Sequence, residues 1–171
     1  RIADAETGKI CANGEIGIIE LRGDNVFQGY WEMPEKTAES FRKDGFFITG
    51  DMAVRDADGY ISIVGRDKDL IITGGLNVYP REVESLVDEV AGVQESAVIG
   101  VPHPDFGEAV VAIVAAGPDA VSADAVIEAL AGKLAKFKQP KSVHLVDALP
   151  RNSMGKVQKA ALRDEYAGLF A

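Results

Sequence analysis

The 171-residue sequence offers little from which a disulfide, a metal site or a membrane span could be built. Cys11 is the single cysteine and cannot form an internal disulfide, which fits a reducing compartment, and we expect a cytoplasmic protein. The two histidines, His103 and His144, stand far apart with no cysteine near either, so we predict no metal site made of protein ligands. The longest apolar run, Ala109–Ala116, has the length of a strand, whereas roughly 18–20 residues cross a bilayer, so no transmembrane segment is predicted.

The sequence also lacks a positive charge balance. Its 18 Lys and Arg residues face 27 Asp and Glu residues, which gives a net charge of −9 and excludes general binding to nucleic acids. One stretch departs from this balance, because between Lys133 and Arg163 eight basic residues accompany a single acid, Asp147. Such a stretch indicates either a local anionic ligand or a solvated helix-and-loop face.

Hydrophobic patterning and turn residues predict an α+β protein in two parts. Residues 1–67 form a β-rich unit with one short helix that starts near Pro34 and a hairpin turn at Asp58-Gly59. In residues 68–171 the predicted order is β-hairpin, α, β, β, α, β, α, with helices packed on a small mixed sheet. The three predicted helices of this second part are Pro80–Val90, Ser122–Leu134 and about Val157–Tyr166.

Three motifs place charged groups at turns. Asp51 follows a glycine at a predicted strand end, where a carboxylate can bind the vicinal diol of a ribose or can simply be a turn residue. Arg66 has a planar guanidinium whose hydrogen-bond donors can bind ribose or phosphate oxygens, and the Gly74-Gly75 turn lets the backbone come close to a ligand. The segment from Gly65 to Glu84 that contains them can equally be a surface hairpin joining two domains. Lys156 lies on the rim of a polar loop, and the alternative there is an ordinary solvated lysine.

Taken in order, three segments resemble the adenylate-forming enzymes, which comprise acyl-CoA synthetases, luciferases and nonribosomal adenylation domains. The segments are VFQGYWEMPEKTAESFRKDGFFITGD, GRDKDLIITGGLNVYPREVE and LPRNSMGKVQK. The resemblance covers essentially the whole chain, and KDLIITGGLNVYPREVES, ESAVIGVPHPDFGE and LAKFKQPK look most like malonyl-CoA synthetase and its close acyl-CoA synthetase relatives. It implies that residues 1–67 end a large N-terminal region, in its distorted β-barrel subdomain, and that residues 68–171 are a mobile C-terminal domain.

The resemblance also implies an activity for the parent enzyme. A carboxylate would react with ATP to give acyl-adenylate and pyrophosphate, and CoA would then give acyl-CoA and AMP. Mg²⁺ would accompany ATP, with its ligand glutamate outside this sequence. The alternatives are a medium- or long-chain fatty acyl-CoA synthetase and, in another class, a non-catalytic module that binds nucleotide or CoA.

Roles for single residues follow from the same resemblance. Asp51 and Arg66 match the residues that bind the ATP ribose, and Lys68 matches the hinge of the C-terminal domain. Gly74-Gly75 matches the segment that lines the pantetheine tunnel. Lys156 matches the lysine that bridges the substrate carboxylate and the α-phosphate, and its exposed, flexible loop makes it a candidate for a lysine acetyltransferase.

The CoA nucleotide would be held by aromatic rings and lysines. Phe106 and Phe137 fall where some relatives place rings that stack on the adenine, and Lys138 and Lys141 lie beside Phe137 in the sequence. Phe137 can instead be a core residue.

The pyrophosphate-binding loop and the Mg²⁺-binding segment of these enzymes do not occur in the 171 residues. We therefore expect the isolated chain to form no acyl-adenylate, because the groups that hold pyrophosphate and metal are missing from it. A pyrophosphate-exchange assay measures this directly. Clear exchange activity would contradict the interpretation of the chain as a fragment.

Overall fold

A computed structural model describes residues 1–117 and 120–171 and separates two compact units, Arg1–Lys68 and Asp69–Ala171. Each unit has its own β-sheet, and helices accompany both, which confirms the predicted α+β class. Within the described ranges, no helix combines the length and the apolar character that crossing a membrane requires.

The first unit contains a four-stranded antiparallel sheet in the order β1-β2-β3-β4. Its elements are β1 (Ile2–Ala3), β2 (Ile16–Leu21), α1 (Pro34–Ser40), β3 (Phe47–Arg55) and β4 (Ile61–Arg66). Pro34 begins α1 because its fixed φ suits the first helical turn and its missing N–H is not needed there. The sequence predicted a strand that ends at Gly50, but β3 continues through it, because glycine accepts a φ of 75°. The pairing of β3 with β2 shifts register here, between Ile48 and Met52.

A buried carboxylate connects this sheet to the surrounding loops. The side chain of Glu20 is fully buried, and its two oxygens lie 2.7 Å from the Nε atoms of Arg1 and Arg42. Arg1 also pairs with Asp44, and its guanidinium lies 3.6 Å from the centroid of the Phe46 ring. The hydrogen bonds from Arg1 lower the pKa of Asp44. Both Glu20 oxygens are thus compensated, as a buried charge requires.

We predict that Glu20→Ala lowers the free energy of unfolding by about 3 kcal/mol, because two guanidinium groups lose their shared counterion. Urea unfolding of the chain measures this loss. Asp44→Ala is the matched control, since it removes a half-exposed partner of the same Arg1, and it should cost much less. Equal losses for the two variants would show that burial of Glu20 is not what makes the network important.

The second unit contains a five-stranded mixed sheet in the order β6-β5-β8-β7, with β9 parallel to part of β8. Its strands are β5 (Ile71–Thr73), β6 (Leu76–Val78), β7 (Val93–His103), β8 (Gly107–Ala116) and β9 (Ser142–Val146). Its helices are α2 (Pro80–Val87), α3 (Ala123–Leu130) and α4 (Lys159–Tyr166). The parallel pairing of β9 confirms the predicted mixed character of this sheet.

Both faces of the second sheet are covered. Successive side chains of β7 point to opposite faces, so Val98 packs with α2 and α3 while Ile99 packs with α4. This two-sided burial explains the uninterrupted apolar run of β8, whose residues from Ala109 onward are buried. Ser122 caps α3 as predicted, because its hydroxyl accepts a hydrogen bond from the N–H of Ala125.

The three helices of this unit are shorter than the sequence predicted. Val90, Leu134 and Val157 lie beyond the helix ends yet still pack against the two cores. The spacing of apolar residues indicates which residues pack in a core. Residues in turns can also pack there, so the spacing alone predicted helices that were too long. Gly132, with a φ of 81°, follows the end of α3.

Candidate functional site

The two predicted ribose-binding residues are neighbours on adjacent strands. Asp51 of β3 lies opposite Arg66 of β4, and Arg66 Nε is 2.9 Å from Asp51 Oδ1. A second guanidinium nitrogen of Arg66 donates a hydrogen bond of 3.1 Å to the carbonyl of Thr49. About a third of each charged side chain remains exposed, 36% for Asp51 and 35% for Arg66. The guanidinium therefore orients a carboxylate that is still accessible to a ligand.

Lys156 follows a tight turn with a defined backbone. The Gly155 N–H donates to the Asn152 carbonyl at 2.9 Å, and the Asn152 N–H donates to the Lys156 carbonyl at 3.0 Å. The Asn152 side-chain Oδ1 accepts from the N–H groups of Met154 and Lys156, at 3.0 and 2.9 Å. Gly155 takes a φ of 78°, which favours glycine. The loop that the sequence predicted as flexible thus holds its lysine on a hydrogen-bonded frame.

Carboxylates neutralise most of the basic side chains in the stretch between Lys133 and Arg163. Five ion pairs do this: Lys133–Glu89, Lys138–Glu82, Arg151–Glu95, Lys159–Glu84 and Arg163–Asp69. Lys141 instead has its ammonium 5.2 Å from the centroid of the Phe106 ring. No ion pair joins Lys136 or Lys156 to any residue in the described part of the chain. The basic stretch is largely compensated within its own unit, and the exposed Lys156 ammonium is available to a ligand.

Four of the predicted CoA-binding positions, Gly74, Gly75, Phe106 and Lys141, come together. Gly74 and Gly75, with φ of 57° and 78°, form the turn between β5 and β6, and the Gly74 N–H donates to the Phe106 carbonyl at 2.8 Å. The Phe106 ring is 39% exposed, and its centroid lies 4.7 Å from that of the His103 ring. With Lys141 on the same ring, this corner offers an aromatic surface and a cation side by side.

The other two predicted CoA-binding positions have structural partners. Phe137 packs against the core that lies between the sheet and helices α2 and α3. The Lys138 ammonium contacts both carboxylate oxygens of Glu82, at 2.7 and 2.8 Å. The sequence placed Lys141 beside Phe137, but the structure places it against Phe106. These contacts favour a packing role for Phe137, and a CoA-binding role for Phe137 and Lys138 stays a prediction.

The predicted hinge, Lys68, lies at the end of the first unit. It is exposed and belongs to a short 3₁₀ helix, Asp67–Asp69, which connects β4 to β5. The next residue, Asp69, pairs with Arg163 of α4, so the second unit is anchored from its first residue. A role for Lys68 as a pivot stays a prediction.

Other reactive groups have ordinary surroundings. Cys11 is buried, and loss of solvation raises the pKa of its thiol, which makes it a poor nucleophile. His144 Nε2 lies 3.0 Å from the hydroxyl of Ser142, and its ring contacts that of Tyr166. Residues 1–117 and 120–171 contain no group of three or more His, Cys, Asp or Glu side chains that could hold a metal ion.

Comparison with known proteins gives consistent matches. Residues 82–156 match the AMP-binding enzyme C-terminal domain. Long-chain-fatty-acid–CoA ligase FadD13 of Mycobacterium tuberculosis is 43% identical over 162 residues, which are 95% of this chain and 32% of that protein. Feruloyl-CoA synthase of an Amycolatopsis species is 44% identical over 161 residues, or 94% and 33% of the two chains.

Solved structures give the same picture. ATP-bound MatB from Rhodopseudomonas palustris is 57% identical with a TM-score of 0.95, covering 100% of this chain and 34% of that one. The o-succinylbenzoate CoA synthetase MenE from Bacillus subtilis, in complex with its acyl-adenylate intermediate, is 33% identical with a TM-score of 0.88, covering 96% and 34%. The chain spans about a third of the length of these relatives.

Proposed function

Since this chain belongs to the adenylate-forming family through its AMP-binding enzyme C-terminal domain, we propose that it is the C-terminal portion of an ATP-dependent acid–CoA ligase. The enzyme would convert a carboxylate and ATP into acyl-adenylate and pyrophosphate, and then transfer the acyl group to CoA with release of AMP. CoA ligases among the relatives and the ATP-bound neighbour support this reaction. The observation that carries the proposal is Lys156 on its fixed turn, with no ion-pair partner among residues 1–117 and 120–171.

Lys156 is the residue to which we assign the adenylation step. Negative charge accumulates between the attacking carboxylate oxygen and the α-phosphorus during that step. An ammonium held there stabilises the transition state more than the separated reactants. Because no described carboxylate pairs with Lys156, its charge is not already compensated.

Asp51 and Arg66 are proposed to hold the ribose of ATP. A carboxylate can accept hydrogen bonds from both hydroxyls of the sugar, and the bond from Arg66 fixes the direction in which it points. Mg²⁺ is proposed to bind with the triphosphate, through a glutamate outside this sequence. Lys68 is proposed as the pivot that lets the second unit change its pose between the two half-reactions.

The corner around Phe106 is proposed to receive CoA in the second half-reaction. The exposed ring can stack on the adenine, and Lys141 can neutralise a phosphate. Gly74 and Gly75 add no side chain, so a narrow pantetheine arm can pass close to their backbone.

Malonate or a related small carboxylate is the proposed acyl substrate. The malonyl-CoA synthetase resemblance of the sequence supports it, as does the 57% identity to MatB. A medium- or long-chain fatty acid is the alternative, which the 43% identity to FadD13 represents. Adenylation rates of the full-length enzyme with malonate and with a long-chain fatty acid distinguish the two.

Acetylation of Lys156 by a lysine acetyltransferase is a further part of the proposal. The side chain is exposed and carries the charge to which we assign stabilisation of the adenylation transition state. Acetylation removes that charge, so it would stop adenylation and leave the transfer to CoA in place.

In the full-length enzyme, Lys156→Ala should slow acyl-adenylate formation by about 10²–10³-fold, because a preorganised charge is lost from the transition state. Thioester formation from preformed acyl-adenylate should be largely spared. Lys156→Gln, which imitates acetyl-lysine, should behave in the same way. Rapid-quench measurement of each half-reaction gives both rates.

Lys136→Ala is the matched control, because Lys136 is another lysine of the basic stretch without an ion pair to any described residue. It should leave both half-reactions unchanged. Equal loss of both half-reactions in Lys156→Ala, or full activity in that variant, would contradict the assignment. Absence of both half-reactions in the unmodified full-length protein would favour a non-catalytic binding module.

A second pair of variants separates the two proposed nucleotide sites. Asp51→Ala should raise the KM for ATP about tenfold, because charge-assisted hydrogen bonds to the ribose are lost. Phe106→Ala should raise the KM for CoA by a similar factor, because a stacking contact is lost. Steady-state kinetics of the full-length enzyme measure both values, and each variant is the control for the other. A rise in both constants in either variant would contradict separate sites.

A further inference from the structure

We propose that Arg151 is a positioning residue for adenylation, which holds the turn below Lys156 against strand β7. The proposal rests on the function assigned above to Lys156. One guanidinium nitrogen of Arg151 donates to the carbonyl of Gly155, and another binds the carboxylate of Glu95 in β7. A single planar side chain therefore joins the turn to the sheet.

The contact with Gly155 acts on the peptide group next to Lys156. The Gly155 carbonyl belongs to the same planar peptide unit as the Lys156 N–H, and that N–H is bound by Asn152. Arg151 and Asn152 thus hold opposite sides of one rigid plane. The plane determines where the Lys156 side chain starts, and a fixed start limits the positions that its ammonium can reach.

Through its contact with Glu95, Arg151 fixes the position of the Gly155–Lys156 peptide plane relative to strand β7. Glu95 lies opposite Ala115 of β8, directly after a register shift, and from this pair the ladder between β7 and β8 continues without a further shift to His103 and Gly107. Without Arg151 the turn would keep its internal hydrogen bonds but lose this connection. Adenylation is sensitive to that loss, because misplacing a reacting group by about 1 Å can cost on the order of 100-fold in rate.

A second ion pair anchors the chain after the turn. Lys159 Nζ lies 2.6 Å from Glu84 Oε1, and the same oxygen accepts a hydrogen bond of 2.8 Å from the Val98 N–H in β7. This pair is buried, with the Glu84 side chain 8% exposed, whereas the Arg151 and Glu95 side chains are 43% and 34% exposed. Exposed ion pairs contribute little to global stability. Arg151 can therefore be removed without unfolding the unit, which makes it the sharper residue to test.

The test compares half-reactions in the full-length enzyme. Arg151→Ala should slow adenylation roughly 10- to 100-fold while its Tm and the transfer from preformed acyl-adenylate to CoA stay as in the unmodified enzyme. Arg151→Lys, which keeps the charge but cannot span both acceptors in one plane, should restore part of the rate. Glu95→Gln should lose less than Arg151→Ala, because the bond to Gly155 remains. Lys133→Ala, which breaks another exposed pair of this unit, should lose nothing.

Three results would overturn the proposal. An unchanged adenylation rate in Arg151→Ala, with loss in Lys156→Ala, would remove the positioning role and leave the proposed function intact. A fall in both half-reactions together with the Tm would mark Arg151 as merely structural. A higher KM for ATP or carboxylate at unchanged kcat would mean that Arg151 binds substrate directly. Full adenylation in both Arg151→Ala and Lys156→Ala would instead refute the function assigned to Lys156.

Discussion

The side-chain oxygen of Asn152 binds the backbone N–H of Lys156, and this contact determines the place from which the lysine ammonium can act. The lysine side chain has many rotamers, so the position of its ammonium is restricted mainly by the backbone that carries it. Asn152 closes the turn from inside and Gly155 supplies the left-handed residue that the turn needs. In the proposed delivery of the cation to a reacting carboxylate, the backbone of the turn therefore loses little further freedom.

The ion pairs of the second unit also bear on the proposed role of Lys156. A basic stretch in an acidic protein would attract any anion, but five of its cations are each matched to a carboxylate from elsewhere in the unit. Ion pairs of this kind add little to stability where they are exposed, but they lower the net positive charge that the basic stretch presents to anions. They reduce the number of cations that could compete for a phosphate, and none of the carboxylates that the structure describes pairs with Lys156. The Glu20 network of the first unit differs, because there a buried carboxylate needs its two guanidinium partners.

Residue types at turns were predictable from the sequence, whereas partners across strands were not. Asp51 and Arg66 were identified as candidates, but only the register of β3 and β4 makes them neighbours. Lys141 seemed closest to Phe137 along the chain, yet the parallel pairing of β9 with β8 sets a different neighbourhood and Lys141 lies against Phe106. Arg151 was visible in the sequence only as one cation of the basic stretch, because its partner Glu95 is distant in sequence.

Two ion pairs hold the chain around Lys156, Arg151–Glu95 and Lys159–Glu84, and they differ in burial. This difference suits the proposed two-step reaction. The buried pair of Lys159 and Glu84 also holds an edge N–H of β7, so breaking it would expose unpaired groups and disturb the fold. The exposed pair of Arg151 and Glu95 exchanges protein contacts for water at little cost. Stability therefore rests on the buried anchor and position rests on the exposed one. A turn held in this way can yield locally while the unit stays folded, which is consistent with the proposal that Lys156 is needed in the first half-reaction and not in the second.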